Sequence, residues 1–430
     1  MRWWLYNLLL RALQPWVRRK LARRAQTEPL YGEHVAQRFG CYEGPPQPVD
    51  LWVHAVSLGE ARAAGILLQA LRRQAPALRV LITHGTATGW GQGQLLRLEG
   101  DRQAWLPWDT PEAVEGFLRH FQPKLGLLIE TEVWPNLVRA CRAHGIELVL
   151  ANARLSEKSL RKALQLGFWA RPTFQALGQV WAQTEADAAR LAKLGVTRMG
   201  VLGNLKFDLQ VDAAQVEAGR ALRAALPKPV MLLASSREGE EGAWVEALAQ
   251  HPTDFLPCVV PRHPQRFDEV AALLEHAGWQ VLRRTRWSKD PKVLAQACQS
   301  GRSALLGDTL GEMPFYYGLS PLALMGGSFG RYGGQNLIEA LACACPVILG
   351  PHTYNFEQAS EDAIEAQAAA RVPDMAQGVA LAVQWLARTD VTQTMATHGL
   401  ALLQGHRGAA DRMASALLQR LGVELTSKDR

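Results

Sequence analysis

Short apolar runs punctuate the chain at regular intervals. In the first half they are VDLWVHAV (49–56), RVLIT (79–83), KLGLLI (124–129), IELVLA (146–151), QVWA (179–182) and GVLG (200–203). Helical stretches of 10–15 residues separate most of them. Near-continuous apolar strands alternating with helices predict a parallel sheet covered on both faces. The pattern then restarts with PVMLLA (229–234), PCVV (257–260), SALLG (303–307), PLALMG (321–326) and PVILG (346–350). The expectation is an α/β chain of two doubly wound halves that meet near 205–228. The N-terminal half covers 45–210, after the Pro-rich 44–48, and the C-terminal half covers 225–400. A last helical segment, 401–430, is placed to pack back on the junction. Ligands of such sheets bind beyond the C-terminal strand ends, so the loops after strands are where chemistry is sought.

Residues 3–17, WWLYNLLLRALQPWV, follow a different pattern. Leu5, Leu8, Leu9, Ala12, Leu13 and Trp16 share one helical face, and Asn7, Arg11, Gln14 and Arg18 share the opposite one. The run is short of the roughly 20 apolar residues of a spanning helix, and Arg11 sits near its middle. Trp3, Trp4, Tyr6 and Trp16 suit the headgroup level of a bilayer. Residues 1–24 are therefore expected to lie on or dip into an anionic membrane surface. Packing of this helix on the protein itself, and a shallow span, are the alternatives.

Charge sharpens that picture. The chain has 430 residues and a net charge of +7. Residues 1–24 hold Arg2, Arg11, Arg18, Arg19, Lys20, Arg23 and Arg24 and no acid, and the other 40 basic residues balance the 40 acids. An excess confined to one end reads as an attachment segment rather than a nucleic-acid footprint. The 6 cysteines include no C-x-x-C pair, which argues against a disulfide scaffold and a zinc ribbon.

Several strand-end loops carry candidate chemistry. HAVSLGE (54–60) puts Glu60 at the mouth of the first sheet as a candidate general base, although Ser57 and Glu60 also have capping-box spacing. LIETEVWPNL (128–137) brings Glu130 and Glu132 to another strand end, and GNLKFD (203–208) brings Lys206 to the end of the first half. In the second half, Ser235 and Ser236 of SSREGEE, with the amides behind them, form either an anion site at a helix N-terminus or an ordinary cap. Arg262 and His263 of VVPRHP can clamp and donate to a phosphate. Glycines 326, 327, 330, 333 and 334 lead into a helix start at Gln335–Asn336 that attracts phosphate, with Glu339 placed to bind ribose hydroxyls. The same stretch contains a rival motif. Gly326 to Gly330 match G-x-S-x-G, which would make Ser328 a hydrolase nucleophile, but more glycines follow where such an elbow needs a helix. No G-x-x-x-x-G-K-[ST], H-E-x-x-H, G-x-G-x-x-G or D-x-D occurs.

HAVSLGE, ETEVWPNL, NARLSEKS (152–159), GNLKFD, SSREGEE, PRHP, GDTLGEM (307–313) and GGSFGRYGGQNLIEA…GPHTYNFE together resemble the 3-deoxy-D-manno-octulosonic acid (Kdo) transferases of lipid A biosynthesis. The resemblance implies a GT-B fold of two Rossmann-like domains and an inverting, metal-independent glycosyltransferase without a cofactor. It implies CMP-Kdo as donor, and as acceptor a tetraacylated, bisphosphorylated disaccharide lipid at the cytoplasmic face of the inner membrane. It assigns Glu60 as base and Glu130 and Lys206 as transition-state support. Pro261, Arg262 and His263 would hold the CMP phosphate, and Gly311, Glu312 and Met313 would line the nucleotide pocket through backbone groups. Asn336, Leu337, Ile338 and Glu339 would present a helix N-terminus and a ribose-binding carboxylate. Arg18, Arg19, Lys20, Arg23 and Arg24 would face the anionic lipid surface. The chain departs from the family pattern at Ser236, Arg237, Tyr332, Gln335 and Ile338.

Overall fold

A computed structural model of the chain describes residues 3–251, 254–288, 290–299 and 302–423. The chain folds into two compact units. The first takes residues up to Asp208 and from His406 onward; the second is Leu209–Gly405.

In the first unit, β1 (Leu51–His54), β2 (Val80–His84), β3 (Arg102–Trp105), β4 (Leu125–Ile129), β5 (Glu147–Ala153), β6 (Gln179–Ala182) and β7 (Met199–Val201) form one sheet, ordered β3-β2-β1-β4-β5-β6-β7. Every pairing is parallel, and Leu51 lies opposite both Val80 and Leu125. Strands β1, β2 and β4 are buried along their whole length, as continuous apolar runs require. One face packs on α2 (Leu58–Gln74) and on the helix Ala409–Arg420, whose Ala61, Ala64, Ala410 and Ala414 share a core with Val53 and Leu127. The other face buries Trp52, Phe117, Leu128 and Leu150. In the second unit, β8 (Val230–Ser236), β9 (Leu256–Pro261), β10 (Gln280–Arg283), β11 (Ser303–Leu306), β12 (Leu322–Met325), β13 (Val347–Leu349) and β14 (Ala369–Arg371) form a second parallel sheet, ordered β10-β11-β9-β8-β12-β13-β14.

Three strands, β3, β10 and β14, lie outside the apolar runs read from sequence, and each is a sheet edge. RQAW, QVLR and AAR mix polar and apolar positions because an edge strand faces water on one side, and none of the three is buried throughout. Both sheets reverse strand order beside their first strand, between β1 and β4 and between β8 and β12. These are the switch points where doubly wound folds bind ligands.

The N-terminal helix, α1 (Trp3–Ala25), runs well past residue 17 despite Pro15. Its polar side, rather than its apolar side, meets the protein. Tyr6 Oη donates to Asp109 Oδ2 at 2.8 Å, Asn136 Nδ2 donates to Asn7 Oδ1 at 2.8 Å, and Arg11 pairs with Glu112. Leu10 is buried on this stretch, and farther along Leu21 packs with Tyr31 and Ala87 in a small apolar core. Trp4, Leu5, Leu8, Leu9 and Trp16 point outward, each between 46% and 57% exposed. Packing on the protein and an unpartnered apolar face thus coexist on one helix. Tyr6 leaves the expected aromatic belt, because its hydroxyl is taken by Asp109. No helix among the described residues is long and apolar enough to cross a membrane.

The expected C-terminal segment begins inside the helix Thr389–His406, and its residues 424–430 lie outside the described set. Asp208 accepts from Gly408 N and Ala410 N, both at 2.6 Å, and so caps the helix Ala409–Arg420. Asp208→Ala should cost about 1–2 kcal/mol, the usual cost of losing an N-cap, read as a lower urea midpoint for the first unit. An unchanged midpoint would show that apolar packing alone seats this helix.

Candidate active site

The chain leaves β1 at His54 and enters α2 through Ser57. The Ser57 Oγ accepts from Glu60 N at 3.4 Å, and the hydroxyl donates back to Glu60 Oε1 at 2.8 Å. Val56 N donates to Glu60 Oε2 at 2.8 Å. The capping box therefore forms, and it fixes the carboxylate at the sheet mouth rather than competing with a chemical role. Burial pushes the Glu60 carboxyl up to about 7; the Val56 and Ser57 hydrogen bonds oppose this, and Glu130 and Glu132 add to it. A base of that strength at a ligand-binding edge is suited to accept a proton near neutral pH.

Glu130 ends β4 with a left-handed φ of 64°. This turns its side chain toward Lys206, whose Nζ lies 3.0 Å from Glu130 Oε1. Lys206 sits in a one-turn segment, Leu205–Asp208, pinned where Leu205 N donates to Asn152 Oδ1 at 3.0 Å. Asn152 is fully buried and also left-handed, φ 53°, which is a role for NARLSEKS that sequence alone did not assign. Glu132 accepts from Trp134 Nε1 at 3.1 Å, and burial raises its carboxyl above the usual range. The three acids and Lys206 thus form one cluster within the first unit.

The second unit gathers its candidates at the ends of β8, β9, β11 and β12. Arg262 N donates to Ser236 O at 3.0 Å, which aligns the ends of β8 and β9. Pro261 is buried in the end of β9, while Arg262 and His263 are half-buried. His263 is held below its usual pKa by burial and by Arg237, Arg262 and Arg266 around it. Ser235 Oγ lies 3.8 Å from Met313 Sδ, which joins β8 to the loop after β11. Gly311 is left-handed, φ 78°, and its carbonyl accepts from Gln215 Nε2 at 3.2 Å. The Glu312 side chain is engaged by Arg284 at 2.9 Å and by Thr309. Gly311 to Met313 therefore offer mainly backbone to a ligand.

Two expectations change here. Ser236 is buried, and its hydroxyl donates to Glu241 Oε1 at 2.7 Å. The next helix, Glu240–Leu248, starts only after Gly239, so the serines do not stand at its N-terminus. The anion that meets the nearby amides is the protein's own. The Glu240 carboxylate accepts from Arg237 N at 2.8 Å, Gly327 N at 2.7 Å, Phe329 N at 3.1 Å and Gly330 N at 3.0 Å. The first part of the Gly-rich loop folds around this buried acid. Asn336 stands at the N-cap position of the short helix Leu337–Ala342 without a side-chain capping bond, its Oδ1 buried without a hydrogen-bond partner, and Glu339 lies in the first turn. Leu337 and Ile338 bury their side chains and present only backbone N–H groups.

The hydrolase reading fails on geometry. Ser328 is fully buried, donates to Met325 O and accepts from Gly350 N at 2.8 Å. The following helix begins at Leu337 rather than directly behind it.

A family profile described as 3-Deoxy-D-manno-octulosonic-acid transferase (kdotransferase) matches residues 33–209. The chain is 44% identical to the 3-deoxy-D-manno-octulosonic acid transferase of Bordetella pertussis, over 97% of this chain and 99% of that one. It is 30% identical to the enzyme of the same name from Haemophilus influenzae, over 96% and 97%. Among solved structures, a glycosyltransferase from Rickettsia africae is 12% identical and matches with a TM-score of 0.54, covering 89% of this chain and 100% of that one. That likeness is one of fold, the two-sheet GT-B architecture.

The raised Glu60 carboxyl also affects stability. Its folded-state pKa, about 7, lies above the unfolded value, so its contribution is full below the unfolded pKa and is lost as pH rises through 7. Glu60→Gln should melt above the parent at pH 8, with the gap closing by pH 4. A gap independent of pH would show that the carboxyl is not raised.

Proposed function

The chain belongs to the 3-deoxy-D-manno-octulosonic acid transferase family, and from that premise we propose that it moves Kdo from CMP-Kdo to a hydroxyl of a tetraacylated, bisphosphorylated disaccharide lipid, with inversion and without a metal ion. The observation that carries this reading is Glu60, a half-buried carboxyl fixed by Val56 N and the Ser57 hydroxyl at the switch point of the first sheet and pushed up to about 7. Glu60 takes the proton of the acceptor hydroxyl as the oxygen attacks the anomeric carbon. The bond from that carbon to the CMP phosphate oxygen breaks, and CMP leaves with the electron pair. Positive charge builds on the sugar meanwhile, and Glu130, balanced by Lys206 at 3.0 Å, is the carboxylate that supports it. Within the second unit, Arg262, His263 and the backbone N–H groups from Leu337 receive the phosphate, and Glu339 receives the ribose.

The outward apolar face of α1 and its exposed Arg18, Arg19, Lys20, Arg23 and Arg24 support attachment to an anionic bilayer, in this proposal the cytoplasmic face of the inner membrane. Because α1 is also tied to Asp109 and Asn136, removing it would disturb the first unit, so point changes are the cleaner probe.

Transfer is read by mass spectrometry of the lipid product. The wild type should add Kdo, and kcat/KM should rise with pH through about 7 as Glu60 loses its proton. Glu60→Gln should lower kcat by roughly 10²–10⁴ and leave CMP binding intact. Transfer at the wild-type rate would remove Glu60 from the base role, and a wild type that transfers nothing would overturn the donor–acceptor pair. Leu5→Ser, Leu8→Ser and Leu9→Ser together should release the protein from anionic vesicles. Equal partitioning of variant and parent would show that this face does not meet lipid.

A further inference from the structure

A cavity of about 310 Å³ lies inside the first unit, beneath the C-terminal half of α1 and against the ends of the central strands. It touches the base through Val56, which lines the cavity and whose N–H holds Glu60 Oε2 at 2.8 Å. Three cations line it: Lys20, Arg24 and Arg38. Arg24 donates to the Tyr31 hydroxyl at 3.1 Å, and Arg38 donates to Gly85 O at 3.2 Å and lies 3.8 Å from the centre of the Trp105 ring. None of the three has a carboxylate partner among the described residues. Arg38 Nε is buried with no hydrogen-bond partner, and burial and the nearby Arg24 charge hold its guanidinium below the usual value. Fully buried His54 also lines the cavity, its Nε2 without a partner and its Nδ1 2.9 Å from Thr83 Oγ1.

The two acids on the cavity wall do not neutralise these cations. Asp109 is taken by Tyr6 Oη, Asn136 N and Leu137 N, and Glu132 by Trp134 Nε1. Lys20 and Arg24 are exposed and Arg38 is half-buried, so three positive charges converge on one recess with no carboxylate of their own among the described residues, an arrangement that draws an anion. The remaining walls include Trp108 and Trp134, with the largely exposed Trp16 at the rim, and these indoles give the recess apolar area. The volume is at the low end of ligand pockets, about 300–1,000 Å³, and fits one ring with one charged group rather than a disaccharide.

We propose that this cavity is an acceptor subsite that binds a phosphomonoester carried on a sugar ring. The guanidiniums of Arg24 and Arg38 and the ammonium of Lys20 take the phosphate oxygens, and the indoles take the ring face. The inference rests on the acceptor being a phosphorylated glycolipid, as proposed above. It also divides the basic run of α1. Lys20 and Arg24, one helical turn apart in line with Trp16, face the cavity, while Arg19 and Arg23 do not line it.

The test uses the full chain in detergent. KM is measured for the bisphosphorylated disaccharide lipid and for each of its two monophosphorylated counterparts. Arg24→Gln should raise KM for the bisphosphorylated acceptor at least tenfold, the scale of a lost charge-assisted hydrogen bond, with the effect in KM rather than kcat and with KM for CMP-Kdo unmoved. On the acceptor that lacks the docking phosphate, wild type and variant should have the same KM. An equal loss on all three acceptors, or no loss, overturns the proposal.

Arg38 packs on Trp105, so where Arg38→Gln fails to fold, Lys20→Gln, at an exposed side chain, is the second variant. Binding is read separately from transfer by tryptophan fluorescence. Glucosamine 1-phosphate should quench saturably in the wild type and more than tenfold more weakly in Arg24→Gln. Inorganic phosphate that binds as tightly as the sugar phosphate, or phosphatidylglycerol vesicles that displace it, would overturn the sugar-phosphate assignment. If the wild type transfers to no lipid yet binds glucosamine 1-phosphate through Arg24, the proposed function fails and the cavity assignment stands.

Discussion

A carboxylate drawn out of water at the first strand-to-helix turn organises each half of this molecule. In the first unit it is Glu60, held by one backbone N–H and one hydroxyl. In the second it is Glu240, held by four backbone N–H groups. The number of donors separates the two roles. Four charge-assisted hydrogen bonds satisfy Glu240, and the glycine-rich loop after β12 takes its path from that acid. Two donors leave Glu60 under-compensated for its burial, with Glu130 and Glu132 nearby, and its proton affinity rises to about 7. One topological position thus yields a structural anchor in one unit and a carboxyl raised to about 7 in the other.

The same economy of polar contacts turns α1 around. An amphipathic helix on a soluble core ordinarily buries its apolar stripe. Here Asp109 accepts from Tyr6 on α1 and from the amides of Asn136 and Leu137, at the start of the helix Pro135–Ala143. Burial raises its carboxyl to about 6, which strengthens its demand for donors. Meeting that demand draws the polar side of α1 inward and leaves Trp4, Leu5, Leu8 and Leu9 facing out. The outward apolar face follows from where the buried acid is, and the adjacent basic residues then divide between that surface and the cavity beneath.

Periodicity made the two-sheet plan legible, because central parallel strands are apolar on both faces. It did not show β3, β10 and β14, whose edge positions mix polar and apolar side chains. Of the site, the strand-end acids and Lys206 could be read because such positions rarely carry charge without a reason, and the pairing of Glu130 with Lys206 follows their placement. The use of the amides around Gly327 could not be read. A nest of N–H groups looks the same in sequence whether it takes a phosphate or the protein's own carboxylate, and only the fold brings Glu240 to it. Arg38, Tyr31 and Trp108 belong to no recognisable motif, since the cavity they share is assembled from segments far apart in the chain.

Two departures from the family pattern also become coherent in space. Arg237 lies over the ring of Tyr332, 4.5 Å from its centre, and the Tyr332 hydroxyl donates to Glu238 O at 3.2 Å. The two residues are 95 positions apart in sequence, yet each supplies the other's partner, a cation and a π face. Their contact closes over the turn that carries Glu240 without using any atom of its amide cage. The Arg237 guanidinium is therefore held beside His263, where it lowers the imidazole's affinity for a proton, and it adds positive charge to the strand ends that the proposed mechanism gives to a phosphate.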